Sequence, residues 1–365
     1  MRALACSTLL AVVASLAVGC GDPRVSPGDS GIAPEADGGT PPDGSPPGED
    51  GGSTSPDAST MPTSPLVDPQ CTDGMYSEPL PSSSADISDL VASYSPSRLD
   101  EFVLAVLERR YGTGHHLVQG ALASGASIAT FVNDTSSAQG VLRSLSTVVH
   151  ECGHTYDHVQ STFGDDAYVI TPALTFSCAQ GDATNRGGRT FARSLIRDDE
   201  YQALRPPCGG GGGWGCDVYA DLYLEGDPNN ATFEQGDQGF NVLFEEVVQY
   251  VNSLATALAF TNELAGRVSV SERDGILTFL WYLLRYLRLA RLEHPSAYEH
   301  LVSGDGGCWR EAILTVWGRA WLYLDATAGM SHLGIDDGAL LSLVMDRDLL
   351  SEIQRLREAE GCPAP

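Results

Sequence analysis

Residues 71–365 are predicted to form one mainly α domain with a small β element near its middle. Three observations predict this. Apolar residues recur at helical spacing along several long stretches, two short runs near the middle alternate as strands do, and the chain before residue 71 lacks the composition of a core.

The N-terminal stretch reads as an export signal. Met1-Arg2 is a short positive start, and Leu9 to Val18 is an apolar run too short to span a bilayer. Ala17-Val18-Gly19-Cys20 then resembles a bacterial lipobox, with Ala17 where leucine is more usual. Residues 1–20 are therefore expected to be a lipoprotein signal peptide. Acylation at Cys20 would anchor the protein to the cell envelope, at the outer membrane or cell surface. Residues 21–70 are mostly Pro, Gly, Ser, Asp and Thr, which cannot bury enough apolar surface to offset ordering entropy. They are expected to be a disordered tether.

The formal charge is -27, and every basic residue is arginine. So acidic a surface argues against nucleic acid as a partner. Of the nine cysteines, Cys6 and Cys20 fall in the signal. Exported chains commonly pair the rest. Cys208 and Cys216 flank a Gly-rich loop containing Trp214 and form the expected local pair, whereas Cys152 is expected to stay a buried thiol.

Within the domain, Ser97 reads as the N-cap of a helix carrying Leu99, Phe102, Val103, Val106 and Leu107. A second helix should run from Ser137 to about Val159, with Val141, Leu142, Leu145, Val148 and Val149 on one side. Ala167 to Phe176 and Asp217 to Leu224 have strand character. Helices follow over Phe240 to Phe260, from Ser271 to about Leu292, and at 308–326 and 337–359. Arg285, Arg288 and Arg291 interrupt the Ser271 helix, which makes it a core helix and not a membrane span.

The chemistry concentrates at His150-Glu151-Cys152-Gly153-His154, an H-E-x-x-H sequence. Two histidines four residues apart lie one turn apart on one helical face and can share one Zn²⁺. Glu151 between them is placed to act as general base on water that the metal acidifies. Gly153 allows a close approach by another group. Zinc needs a third protein ligand. An extended metzincin pattern would need glycine at 157 and histidine at 160, where this chain has Asp157 and Gln160. His158 reaches the same ion only if the helix bends. The helix from Phe240 supplies two neighbours. Glu245 shares the polar side with Asn241, Gln249 and Asn252, while Glu246 lies with Val242, Leu243, Tyr250 and Ser253. An inward carboxylate is costly unless paired or metal-bound, which favours Glu246 over Glu245. Tyr250, one turn on, is a candidate hydrogen-bond partner for it.

At these residues the chain resembles the gluzincin type of zincin-like zinc metallopeptidase, which joins H-E-x-x-H to a glutamate on a downstream helix. His150 to Asp157 also resembles the H-E-F-G-H-x-x-D form of the anthrax lethal factor group. The resemblance covers these two helices, and the gap from His154 to Glu246 is long. It implies a mainly helical zincin-like fold, bound Zn²⁺, and hydrolysis of protein or peptide substrates by metal-activated water. The alternative is a surface binding or structural lipoprotein with a non-catalytic zinc site.

Other residues divide between function and packing. Asp157 either orients a ligand imidazole or faces solvent. Tyr219 and Tyr223 are candidate oxyanion donors, although most such tyrosines pack. His115 and His116 read as a loop-side surface pair, and His300 and His332 as ordinary.

Overall fold

A computed structural model describes residues 66–180, 239–265 and 271–363. The first part comprises α1 (Thr72–Met75), α2 (Ser88–Ala92), α3 (Leu99–Arg110), α4 (Gly112–Ala123), α5 (Ala138–Arg143) and α6 (Leu145–Gln160). An antiparallel hairpin of β1 (Asp165–Thr171) and β2 (Leu174–Ala179) follows. The second part comprises α7 (Gly239–Ala259), α8 (Thr261–Leu264), α9 (Glu272–Glu293), α10 (Pro295–Val302), α11 (Cys308–Ala326), α12 (Asp337–Val344) and α13 (Arg347–Glu360). The mainly helical class with a small sheet is thus observed.

Helix α7 runs through the centre, packed on α6 and on α9 and α11. Phe240, Leu243, Phe244, Val247, Val248, Val251 and Leu254 leave almost no apolar surface of α7 in water. Helix α9 is a core helix as expected, burying Ile276, Phe279, Leu280, Leu283, Leu284 and Leu287. No described helix is long and apolar enough to cross a membrane.

Two disulfides close the fold, Cys71–Cys362 and Cys178–Cys308, and Cys152 is a buried free thiol. The second bridge holds the end of β2 to the start of α11. The Ala179 carbonyl there also accepts from Trp309 Nε1 at 2.9 Å and lies 3.1 Å from His300 Nε2. His332 lies 2.9 Å from the Thr261 hydroxyl.

Several expectations are corrected. Ser97 does not cap α3: a short 3-10 turn over Pro96–Arg98 precedes the helix, and the Ser97 hydroxyl meets Ser95 at 3.0 Å. The 137–159 helix is two helices. Ser137 caps the first through Gly140 N–H, and the backbone leaves helical geometry at Ser144. The 167–176 strand is a hairpin, because Pro172 lacks a ladder N–H and the chain reverses between Thr171 and Leu174. The 337–359 helix breaks before Asp346, whose side chain accepts from Leu349 N–H and starts α13. His115 and His116 are half-buried on α4 and do not sit in a loop. Packing overrides propensity in α4: the Tyr156 ring lies where a side chain on Gly120 would stand. The ordered chain begins before residue 71, because Leu66 is buried and its carbonyl accepts from Trp317 Nε1 at 2.6 Å and Arg357 Nη2 at 2.8 Å. The signal, Cys20, most of the tether, the 217–224 strand with Tyr219 and Tyr223, and the Cys208–Cys216 pair lie outside the described residues.

Candidate metal centre

Helix α6 places His150 and His154 on one face, and α7 crosses that face with Glu246 pointing into it. Three donor groups converge. His150 Nε2 and His154 Nε2 are 3.1 Å apart. Glu246 Oε2 is 3.4 Å from His150 Nε2, and Glu246 Oε1 is 3.5 Å from His154 Nε2. The group could hold a metal ion. Glu246, only 2% exposed, is the inward member of the glutamate pair.

Each imidazole is oriented from behind. His150 Nδ1 lies 3.0 Å from Ser253 Oγ, and His154 Nδ1 lies 3.0 Å from Glu245 Oε1. Glu245 is therefore no rival to Glu246, because it engages the far nitrogen of His154. Such partners fix tautomer and ring angle and make the ligand more basic. Tyr250 stands edge-on to His150 with ring centroids 4.8 Å apart, and stacks on Phe279 at the same distance. These ring contacts hold the His150 imidazole from the side.

Asp157 does neither thing expected of it. It is buried, accepts from Val169 N–H at 2.8 Å and from Gln249 Nε2 at 2.7 Å, and so ties α6 to β1 and to α7. The close approach that Gly153 permits is made by Gln249: any side chain at 153 would overlap its carboxamide. His158 is exposed and lies outside the donor group.

The electrostatics suit a cation. Burial raises the Glu246 carboxyl, but the charge of His154 and hydrogen bonds from both imidazoles outweigh it, leaving the group well below the usual range. Burial lowers His154, yet Glu246 and Glu245 together hold it well above an ordinary histidine. A proton on His154 and a metal ion thus compete for the same nitrogen, so metal uptake should weaken on acidification. Glu151 is buried beside the pair. Burial lifts its carboxyl above the usual range, and the two histidines oppose the shift.

One turn before His150, Ser146 donates to Glu272 Oε1 at 2.6 Å, while Glu272 Oε2 is buried without a hydrogen-bond partner. Burial pushes the Glu272 carboxyl from 4.5 up to about 7. The folded state then binds more protons than the unfolded one across this range, so stability falls as pH rises from about 4.5 through about 7. Because the residue as a whole is only half-buried, the expected loss is about 1–2 kcal/mol. Urea titrations at pH 5 and pH 8 should show it, and Glu272→Gln should remove that share. An identical pH dependence in the variant would contradict the assignment.

Ser253 and Gln249 were recognisable in the sequence as sharing stripes with Glu246 and Glu245, but their roles depend on how α6 and α7 face each other. No protein-family model, curated protein or solved structure matches the chain.

Proposed function

We propose that the chain is a zinc-dependent metallopeptidase of the zincin-like, gluzincin type. The observation that carries this reading is the spacing of the three donors. A tetrahedral Zn²⁺ bonded at about 2.0–2.1 Å separates its ligand atoms by about 3.3–3.4 Å. His150 Nε2 and His154 Nε2 are 3.1 Å apart, one Glu246 oxygen lies 3.4 Å from the first and the other oxygen 3.5 Å from the second, and one ligand atom from each residue lies within 4.8 Å of the others. Three ligands among the described residues match the protein-ligand count of catalytic rather than structural zinc sites.

His150, His154 and Glu246 would hold the ion. When bound, Zn²⁺ supplies Lewis acidity toward a water molecule and the scissile carbonyl. Glu151 accepts the proton that water loses on attack, then delivers it to the departing amine nitrogen. Its raised affinity for protons suits a group that must both take and return one. Ser253 and Glu245 keep the far nitrogens of the two imidazoles occupied, so that each Nε2 faces the centre. In this reading Cys20 carries the lipid anchor and the tether holds the domain away from the membrane, toward protein or peptide substrates.

The test is cleavage of a mixed peptide library by the metal-loaded protein. Turnover should be abolished by a chelator and restored by Zn²⁺. A protein that binds about one zinc per chain and cleaves nothing would overturn the reading and leave a zinc-binding surface lipoprotein.

A further inference from the structure

We propose that Gln249 is a positioning residue of the metal centre, setting the register of α7 against α6 so that Glu246 meets both imidazoles; this rests on the metal reading above. Apolar burial alone does not fix that register, because it is non-directional. A metal site tolerates errors of only about 0.5 Å in its ligands. Gln249 supplies a directional bond between the two helices that does not pass through any of the three donor residues. It lies one turn beyond Glu246, and its partner Asp157 lies one turn beyond His154. Both are buried, and their bond is 2.7 Å long. Gly153 clears the space in which the carboxamide sits.

The carboxamide is itself held at both ends. Gln249 Oε1 accepts from Asn252 Nδ2 at 2.9 Å, and Asn252 Oδ1 accepts from the Tyr111 hydroxyl at 3.1 Å. Tyr111 in turn accepts from Arg319 Nη2 at 3.0 Å, and Arg319 Nε donates to Glu78 at 2.8 Å. Every bond from Arg319 to Asp157 donates in the same direction, so one arrangement of protons satisfies the whole relay and each link polarises the next. Flipping the Gln249 amide alone would set its nitrogen against the Asn252 amide nitrogen, two donors facing each other, which fixes its orientation relative to Asn252. The relay thus runs from an ion pair on α11 to the metal-bearing turn of α6, and holds α7 at a chosen height on the way.

The experiment compares Zn²⁺ affinity and the visible absorption of the Co²⁺-loaded protein in the unaltered chain and in Gln249→Met, which keeps size and removes both bonds. Zinc affinity should fall by about ten- to hundredfold, the loss typical of an outer partner, and the Co²⁺ bands should shift. Leu356→Ala, a buried core truncation on α13, supplies a control for loss of stability alone and should leave both readouts unchanged. If Gln249→Met does not fold, Tyr111→Phe removes one hydroxyl from the relay and should give a smaller shift in the same direction. Wild-type affinity and spectrum in whichever variant folds would overturn the positioning role. Failure of the unaltered chain to bind either metal would instead overturn the metal reading.

Discussion

On the proposed reading, Glu151→Gln should lower peptide turnover by about 10²–10⁴-fold while zinc content stays close to that of the unaltered chain. The two halves of this result have separate causes. The carboxamide cannot accept the proton that water loses, so general acid–base catalysis disappears. Glu151 is not one of the three converging donors, so a bound ion would keep its ligands. Gln is also close in size and neutral in a buried place where ionisation is disfavoured, so the fold should be undisturbed or slightly stabilised. Single-turnover kinetics beside metal analysis checks both halves. Full activity in the variant would remove Glu151 from the mechanism. Loss of zinc along with activity would recast it as a ligand or a structural residue.

Glu246→Ala should cost zinc affinity by about a hundredfold or more, beyond what loss of an outer partner costs. Two imidazoles alone do not make a three-ligand site, and the removed carboxylate is the only donor α7 contributes to the group. Glu245→Gln provides the internal comparison. It weakens only the contact behind His154, so its cost should stay within about ten- to hundredfold. Competition with a chromophoric chelator measures both. Equal losses in the two variants, or a larger one at Glu245, would reverse the roles of the two neighbours.

The division between these neighbours shows what a linear reading can reach. H-E-x-x-H is legible because its geometry is local: four residues along one helix decide where both imidazoles point. Glu246 was reachable because an inward carboxylate demands a reason, and the stripe it shares with Val242, Leu243 and Ser253 marks the inward side. The contact of Glu245 with His154 was not reachable, because it arises only when α7 crosses α6 at this angle and height. Asp157 failed for the same cause, its partners being a strand amide and a glutamine ninety-odd residues away. The long helices over 240–260 and 272–293 emerged nearly at their expected bounds, since continuous apolar periodicity outweighs their ends. Breaks inside periodic stretches were hidden: the stripe continues across Ser144, Pro172 and Asp346, and only the backbone turns there. Helix α4 was passed over because its glycines depress helical propensity, and its stability comes from the neighbours those glycines admit.

The Cys71–Cys362 bridge keeps the molecule in one covalent piece after a single nick. One hydrolysed peptide bond anywhere between these two positions leaves both fragments covalently attached, much as a closed chain survives one opened link. Such damage would stay silent on a denaturing gel until a reductant released the pieces.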